Sequence, residues 1–400
     1  MSALHAFTAY GIELEYMIVD CQTLSVLPLA DESLRLLGGT SEVGSGKFGW
    51  SNEIVLHLIE LKNLRPCPAL EGLAAGFQAE IQSIARLLEP LGARLMPTAM
   101  HPWMDPRTET RLWPHENAPI YQAYDRIFDC KKHGQANLQS MHLNLPFADD
   151  AEFSRLHAAI RLVLPIIPAL AASSPIVEGR ASGYLDYRME VYRTALARVP
   201  SATGRVIPDT VNSRAEYERQ ILAPLYRDIA QFDPEGVLRH EWLNARGAIP
   251  RFERNAIEIR VTDIQECPEA DLAIAAAVSA VVRTLHDGAA LQQAMSTDAL
   301  VCVLQACIKD AELAVIEDVD YLRRLGFPDK RCQAHDLWRY LIGTTDLSVS
   351  WGKPLRVMLE QGPLARRILR AVNQDYSKMR LHEVYGELCA CLATGKMFGD

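Results

Sequence analysis

The stretch AYGIELEYMIVD, residues 9–20, restricts the fold more than any other part of the chain. Read with a period of two, Tyr10, Ile12, Leu14, Tyr16 and Ile18 fall on one side, and Gly11, Glu13, Glu15, Met17 and Val19 on the other. This is a strand with an apolar back and two neighbouring carboxylates in front. Like charges that close repel unless they are solvated, protonated or bridged by cations. Taken alone, the stretch predicts a half-exposed strand with a wet acidic face, as antiparallel sheets often have.

The same alternation recurs. In MHLNL, His142 and Asn144 share a strand face, with Met141, Leu143 and Leu145 behind them; in AIEIRVTD, Glu258, Arg260 and Thr262 share a face, with Ile257, Ile259 and Val261 behind. NEIVLHLIELK reads as a fourth strand carrying Glu53 and Glu60. Seven apart, these two need a bulge, bend or break between them to reach one site. One polar sheet face would then hold Glu13, Glu15, Glu53, Glu60, Glu258 and His142. Five carboxylates and one imidazole suit Mg²⁺, or Mn²⁺ as the alternative hard ion, better than Zn²⁺. Mg²⁺ held by carboxylates usually shares its coordination with phosphate oxygens, so the pattern points to a nucleotide bound on a sheet.

Around these strands, residues 40–52 read as a Gly- and Ser-rich connection, and 69–90 as a helix with Leu70, Leu73, Phe77, Ile81, Ile84 and Leu88 on one stripe. Residues 93–103 read as a strand running into a loop, 101–119 as an irregular loop near a site, and 150–172 as a helix. Residues 173–188 form a turn-rich connection, with helices expected near 187–198 and 212–230. From 269 onward the pattern is mostly helical. The C-terminal apolar helices suit either a core or a subunit interface, so the pattern is compatible with a homo-oligomer. No linker divides the chain. The expectation is one domain over residues 1–400, α+β, with an antiparallel sheet backed by helices and the site elements within 9–268.

Composition excludes several classes. A net charge of −9 argues against a nucleic-acid footprint. The greasiest stretch, RLVLPIIPALAA, is short and carries two prolines, so no membrane span is expected. Nine cysteines without CxxC spacing, and no basic-then-apolar N-terminal segment, predict reduced thiols in the cytoplasm. GSGKFGW lacks the spacing of a P-loop, and no nucleophile elbow is present.

GIELEY, NEIVLHLIE, SMHLNLPF, SSPIVEGRASGYLDYR and AIEIRVTDIQECP occur in the order found in the glutamate–cysteine ligase superfamily, and the chain resembles its family 2, the carboxylate–amine ligases with a glutamine-synthetase-like fold. IEIRVTD is the most specific match, with a metal-binding Glu and a phosphate-facing Arg two apart and an Asp three further on. The resemblance implies metal ligands at Glu13, Glu15, Glu53, Glu60, His142 and Glu258. It also implies a catalytic role for Glu258 and Arg260, and nucleotide or substrate contacts at Asn144 and Arg188. Arg251 and Arg254, in RGAIPRFER just before the Glu258 strand, are further candidates for a phosphate or carboxylate, against the competing reading of a solvated loop. Two departures stand out: ELKNLRP replaces the family's Thr-Pro after the second spaced Glu, and Ser140-Met141 replaces a Gly before the His strand.

The implied reaction is ATP- and Mg²⁺-dependent activation of a small-molecule carboxylate, the glutamate γ-carboxylate, as an acyl phosphate, followed by coupling to an amine, cysteine first. A different amine, or a specialised-metabolite or peptide carboxylate, keeps the same chemistry. A guanidino-type kinase or a non-catalytic nucleotide-binding protein is the alternative of another class.

Overall fold

A computed structural model describes residues 3–288, 294–347 and 351–399. The alternating strands form one open antiparallel sheet. Its strands are β1 (Gly11–Asp20), β2 (Glu42–Ser45), β3 (Phe48–Asn52), β4 (Leu58–Asn63), β5 (Ala93–Met96), β6 (Ser140–Pro146), β9 (Ala248–Arg251) and β10 (Ala256–Asp263). A separate small hairpin pairs β7 (Ile176–Val177) with β8 (Arg180–Ala181). The order across the main sheet is β2-β3-β4-β1-β6-β10-β9. Met17 pairs with Leu58 of β4 on one edge and Met96 of β5 on the other, while Gly11–Leu14 pair with β6. β5 and β6 therefore lie end to end along the same edge of β1.

The apolar alternates do what their period requires. Ile12, Leu14, Tyr16 and Ile18 are buried against the helices Leu73–Leu88, Asp150–Val163 and Pro268–Asp287, whose inward stripes include Phe77, Ile81, Leu156, Ile160, Ala273 and Ala277. Burying each large aliphatic side chain contributes roughly 1.5–3 kcal/mol, so this layer anchors the sheet. The opposite face is not simply wet. Met17 and Val19, further along β1, are covered by the C-terminal helices Leu364–Val372 and Lys378–Thr394 through Ile368, Tyr385 and Leu388. Glu13 and Glu15 thus sit in a recess beside a second core.

Three local expectations fail. The 40–52 connection is the hairpin β2–β3, turning on Gly46-Lys47 with Gly46 at φ 61°, the conformation that a two-residue turn demands and glycine supplies. The run 53–62 is not one strand: β3 ends at Asn52 and β4 starts at Leu58, because His57 turns inward and its Nε2 meets Ala136 O at 2.7 Å. Within RGAIPRFER, residues 248–251 form an edge strand, which a proline in the sequence concealed; an edge position tolerates the missing N–H. The 101–119 loop packs inward, with Trp113 and His101 buried and His101 Nε2 2.7 Å from Leu24 O. Among the described residues no helix is long and apolar enough to cross a membrane, and all nine cysteines are free thiols.

Candidate active site

Register decides which polar residues meet. Glu13 pairs with His142 of β6 and with Lys62 of β4, Glu15 pairs with Glu60, and Glu258 pairs with Asn144. Cross-strand partners share a face, so these side chains stand side by side on the face away from the three backing helices. Between Ile259 and Thr262 the β10–β6 register shifts: Arg260 and Val261 together oppose the single residue His142. This bulge flips the parity of the strand. Thr262, expected beside Arg260, pairs with Met141 on the apolar face, and Asp263 pairs with Ser140 on the site face.

The contacts form a continuous row. His142 Nδ1 is 2.9 Å from Glu13 Oε2 and 3.9 Å from Glu258 Oε1, while Nε2 is 3.7 Å from Glu15 Oε1. Ser140 donates from N and Oγ to Glu15 Oε2 at 2.7 and 2.9 Å. Ser51 Oγ donates to Glu60 Oε1 at 2.8 Å, and Lys62 Nζ lies 3.2 Å from the same oxygen. Arg251 Nη1 is 3.0 Å from Glu258 Oε2, and Arg260 Nε is 3.1 Å from Glu258 Oε1 without forming a hydrogen bond. Asn144 Nδ2 donates to Glu13 Oε1 at 3.3 Å.

The electrostatics are those of a crowded acidic recess. Burial works against the charged form of both members of the Glu13–His142 pair. Their mutual hydrogen bond and charge overcome it, leaving Glu13 at about 2 and His142 at about 9. Burial, and then the Glu13 charge, push Glu60 up to about 7, with Lys62 opposing; Glu53 goes well above the carboxylate range through burial and the charges of Glu15 and Glu60. A divalent cation would relieve this strain. Ligand atoms of Glu13, His142 and Glu258 lie within 4.8 Å of one another, as do those of Glu15, Glu60 and His142. The donor set of hard oxygens with one imidazole fits Mg²⁺ or Mn²⁺. A neutral imidazole has one in-plane lone pair, so His142 can complete only one of the two groups. Glu53, carried on the break between β3 and β4, belongs to neither triad but lines the adjoining cavity.

The acidic row separates two clefts. One, of about 230 Å³, is lined by Glu15, Glu53, His142, Arg188 and Arg260, with Tyr121, Tyr124, Tyr192 and Trp242 as walls. The other, of about 430 Å³, is lined by Glu13, Lys62, Asn63, Asn144 and Arg254. Asn63, at the departure from the family pattern, clips the end of β1 by accepting from Ile12 N at 2.6 Å and donating to Tyr10 O at 3.1 Å.

Arg188 is positioned by its helix start. Asp186 caps Tyr187–Ala195 by accepting from Met189 N at 2.9 Å, which presents Arg188 and, one turn on, Tyr192 to the smaller cleft. Arg188 Nε bonds Asp263 Oδ1 at 2.5 Å and Nη2 bonds Arg260 O at 3.3 Å, whereas Nη1 has no hydrogen-bond partner among the described residues. Lys62, Ser140 and Tyr192 are site residues that the motifs did not mark. Lys62 and Ser140 were legible as the period-two neighbours of Glu60 and His142, while Tyr192 was legible only as four residues after Arg188 on a helix.

Solved structures share this architecture. The glutamate–cysteine ligase of Francisella tularensis, in complex with AMP, superposes with a TM-score of 0.64 at 14% identity, over 98% of this chain and 90% of that one. A bifunctional glutathione synthetase from Pasteurella multocida gives 0.58 at 15% identity, over 97% of this chain and 52% of that one. The fold is that of the glutamate–cysteine ligases, and the family match makes the protein an enzyme of the carboxylate–amine ligase class. The profile of glutamate–cysteine ligase family 2 matches residues 9–341, and the chain belongs to that family. An "Uncharacterized protein" of Archaeoglobus fulgidus is 32% identical over 390 residues, 97% of this chain and 99% of its own length. A Bradyrhizobium protein (strain ORS 278) named "Putative glutamate--cysteine ligase 2" is 26% identical over 291 residues, which span 70% of this chain and 62% of that relative.

Proposed function

We propose that the chain, acting as one catalytic unit, is an ATP-dependent ligase that joins a carboxylate, the γ-carboxylate of glutamate, to an amine. The observation that carries this reading is the acidic row with Arg260 at its edge, lying between two separate clefts. The larger cleft, with Lys62, Asn144 and Arg254, suits the nucleotide. The smaller one, with Arg188, Arg260 and aromatic walls, suits the acid and the amine. An oxygen of the carboxylate attacks the γ-phosphorus and ADP leaves; the amine nitrogen then attacks the acyl carbon, loses its proton, and phosphate leaves.

Glu13, Glu15, Glu53, Glu60, His142 and Glu258 would hold Mg²⁺ or Mn²⁺, which when bound neutralises phosphate oxygens and aligns the transfer. Arg260, always ionised, would donate to the moving phosphoryl group. Glu258 and Arg251 would orient that guanidinium. Arg188 would receive the α-carboxylate of the acid on its open Nη1. The buried Tyr192 hydroxyl, without a hydrogen-bond partner among the described residues, would offer a hydrogen bond at the acyl centre. Cysteine, the amine in the relatives' names, is the first to test. The assay is ADP release by the purified chain with ATP, Mg²⁺ and glutamate, with and without amines, with products identified by mass. ADP formation that needs both glutamate and an amine supports the reading; phosphoryl transfer to a single acceptor with no amide formed would assign a kinase.

A further inference from the structure

The smaller cleft holds few charges for the work a ligase of two amino acids requires. Among the described residues, two cationic side chains line it besides His142: Arg188 and Arg260. Arg260 stands at the acidic row, paired with Glu258, where the phosphoryl group would pass. Arg188 has one edge held by Asp263 and one nitrogen committed to Arg260 O, leaving a single open nitrogen. These two groups are consumed by the phosphoryl group and by one carboxylate of the acid. A second α-carboxylate, on the acceptor, would meet Glu15, Glu53 and uncharged walls.

The remaining walls carry no charge: Leu138, Leu196, Trp242 and Leu243 are apolar or aromatic, and Tyr121, Tyr124, Tyr192 and Gln135 add only neutral polar groups. Cations do exist nearby, since Arg126, Lys132 and Arg198 line a surface pocket behind Gly134, Gln135 and Ala195. The partition between them is closed. Gln135 Nε2 donates to Ala195 O at 3.3 Å, and a Cβ on Gly134 would stand 3.0 Å from Val191 O and 3.1 Å from the Ala195 Cβ, so the two segments pack without a gap. An acidic acceptor tail therefore has no route to those side chains. Burying an unpaired carboxylate against these walls is unfavourable because nothing replaces its hydration, whereas an aryl or alkyl body gains from the same contact.

We infer that the acceptor is an amine without a carboxylate, with an apolar and preferably aromatic body that packs on Trp242 and Tyr124. This inference rests on the ligase reading and specifies its second substrate. In the product the amide nitrogen then carries an uncharged tail, and one carboxylate remains, from the acid.

The test uses the full-length enzyme, ATP, Mg²⁺ and glutamate with matched pairs that differ only in the carboxylate: cysteine and cysteamine, leucine and 3-methylbutylamine, phenylalanine and 2-phenylethylamine. The decarboxylated member of each pair is expected to show at least tenfold higher kcat/KM, with 2-phenylethylamine the best of the six. Trp242→Ala is expected to raise KM for 2-phenylethylamine about tenfold while kcat changes little. Equal or better turnover of the amino-acid members overturns the inference and leaves the ligase standing. An unchanged KM in Trp242→Ala overturns the placement of the aromatic body. ADP formation that responds to no amine at all overturns the ligase reading itself.

Discussion

Arg260 and His142 face each other across a β-bulge, two residues of β10 standing opposite one residue of β6. The bulge makes Glu258, Arg260 and Asp263 point to one face although their spacings, two and then three, cannot do so on a regular strand. Arg260 N bonds Gly247 O at 2.9 Å on the far side, which holds the bulge in place.

From this geometry, Glu258→Ala or Arg260→Ala is expected to lower amine-dependent ADP formation by 10²–10³-fold, the usual cost of removing one preorganised charge, about 3 kcal/mol. Circular dichroism and the unfolding midpoint are expected to stay close to the parent. Arg260→Lys is expected to lose most of the activity as well, because an ammonium does not reproduce the planar fork. Near-normal turnover in a folded Arg260→Ala variant would remove Arg260 from the chemistry.

Chelation with EDTA is expected to abolish ligation, and Mg²⁺ or Mn²⁺ to restore it. The cation is also expected to raise the melting temperature of the nucleotide-free protein, since it binds the folded acidic row and has no comparable site in the unfolded chain. Glu60→Gln and His142→Ala should each weaken that thermal shift at a given Mg²⁺ concentration. A parent protein whose melting temperature ignores both ions would contradict the assignment of the row as a cation site.

The buried pair Arg188–Asp263 gives a stability prediction independent of activity. Asp263 accepts from Arg188 Nε, Ser173 N and Ser174 Oγ, so removing it strands three buried donors. Asp263→Ala is expected to destabilise the fold by about 3–5 kcal/mol, the range for breaking one side of a buried pair. Urea unfolding checks this, and a loss below about 1 kcal/mol would show that the pair is dispensable to the fold.

His157 makes the fold less stable as pH falls. It is buried between Phe153 and Tyr217, and burial followed by the charges of Arg161 and Arg246 brings its imidazole down to about 3, against an ordinary value near 6.5. Above pH 7 the ring is neutral in both states and adds no slope. As pH falls from about 6.5 towards 3 the unfolded chain takes up a proton that the folded chain refuses, so stability drops by up to about 1.4 kcal/mol per pH unit. His57 and His101, both brought to about 4 chiefly by burial, act in the same direction. Glu53, Glu60 and His142, whose folded forms hold their protons more tightly, act in the opposite direction, so the check is a comparison: His157→Leu should shift the change in urea midpoint between pH 7.5 and pH 5 towards greater stability at pH 5 than the parent shows. A change equal to the parent's would show that His157 is not a source of the slope.

The residues that carry the site were legible because their chemistry is written in alternation. Glu13 and Glu15, His142 and Asn144, and Glu258 and Arg260 each stand two apart with apolar residues between, and a half-buried strand has that period. The same rule misled at Thr262, since a bulge is a property of two strands together and leaves no mark in one. Proline hid β9 because its edge position is known only once the sheet is assembled. The hairpin at Gly46 read as a connection because glycine serves both.

Local periodicity thus determined which side chains are polar neighbours and that the chain is α+β, since both follow from backbone geometry over a few residues. Register, long-range packing and the bulge decided the rest. They set Glu13 against His142 across 129 positions and brought Glu53 to the cavity on a broken strand. They also placed Arg188 against Asp263 across 75 positions and roofed one end of the acidic face with the C-terminal helices. Those outcomes depend on contacts between segments far apart in the chain, whose free energy is a sum over the whole core and is not encoded in any one stretch.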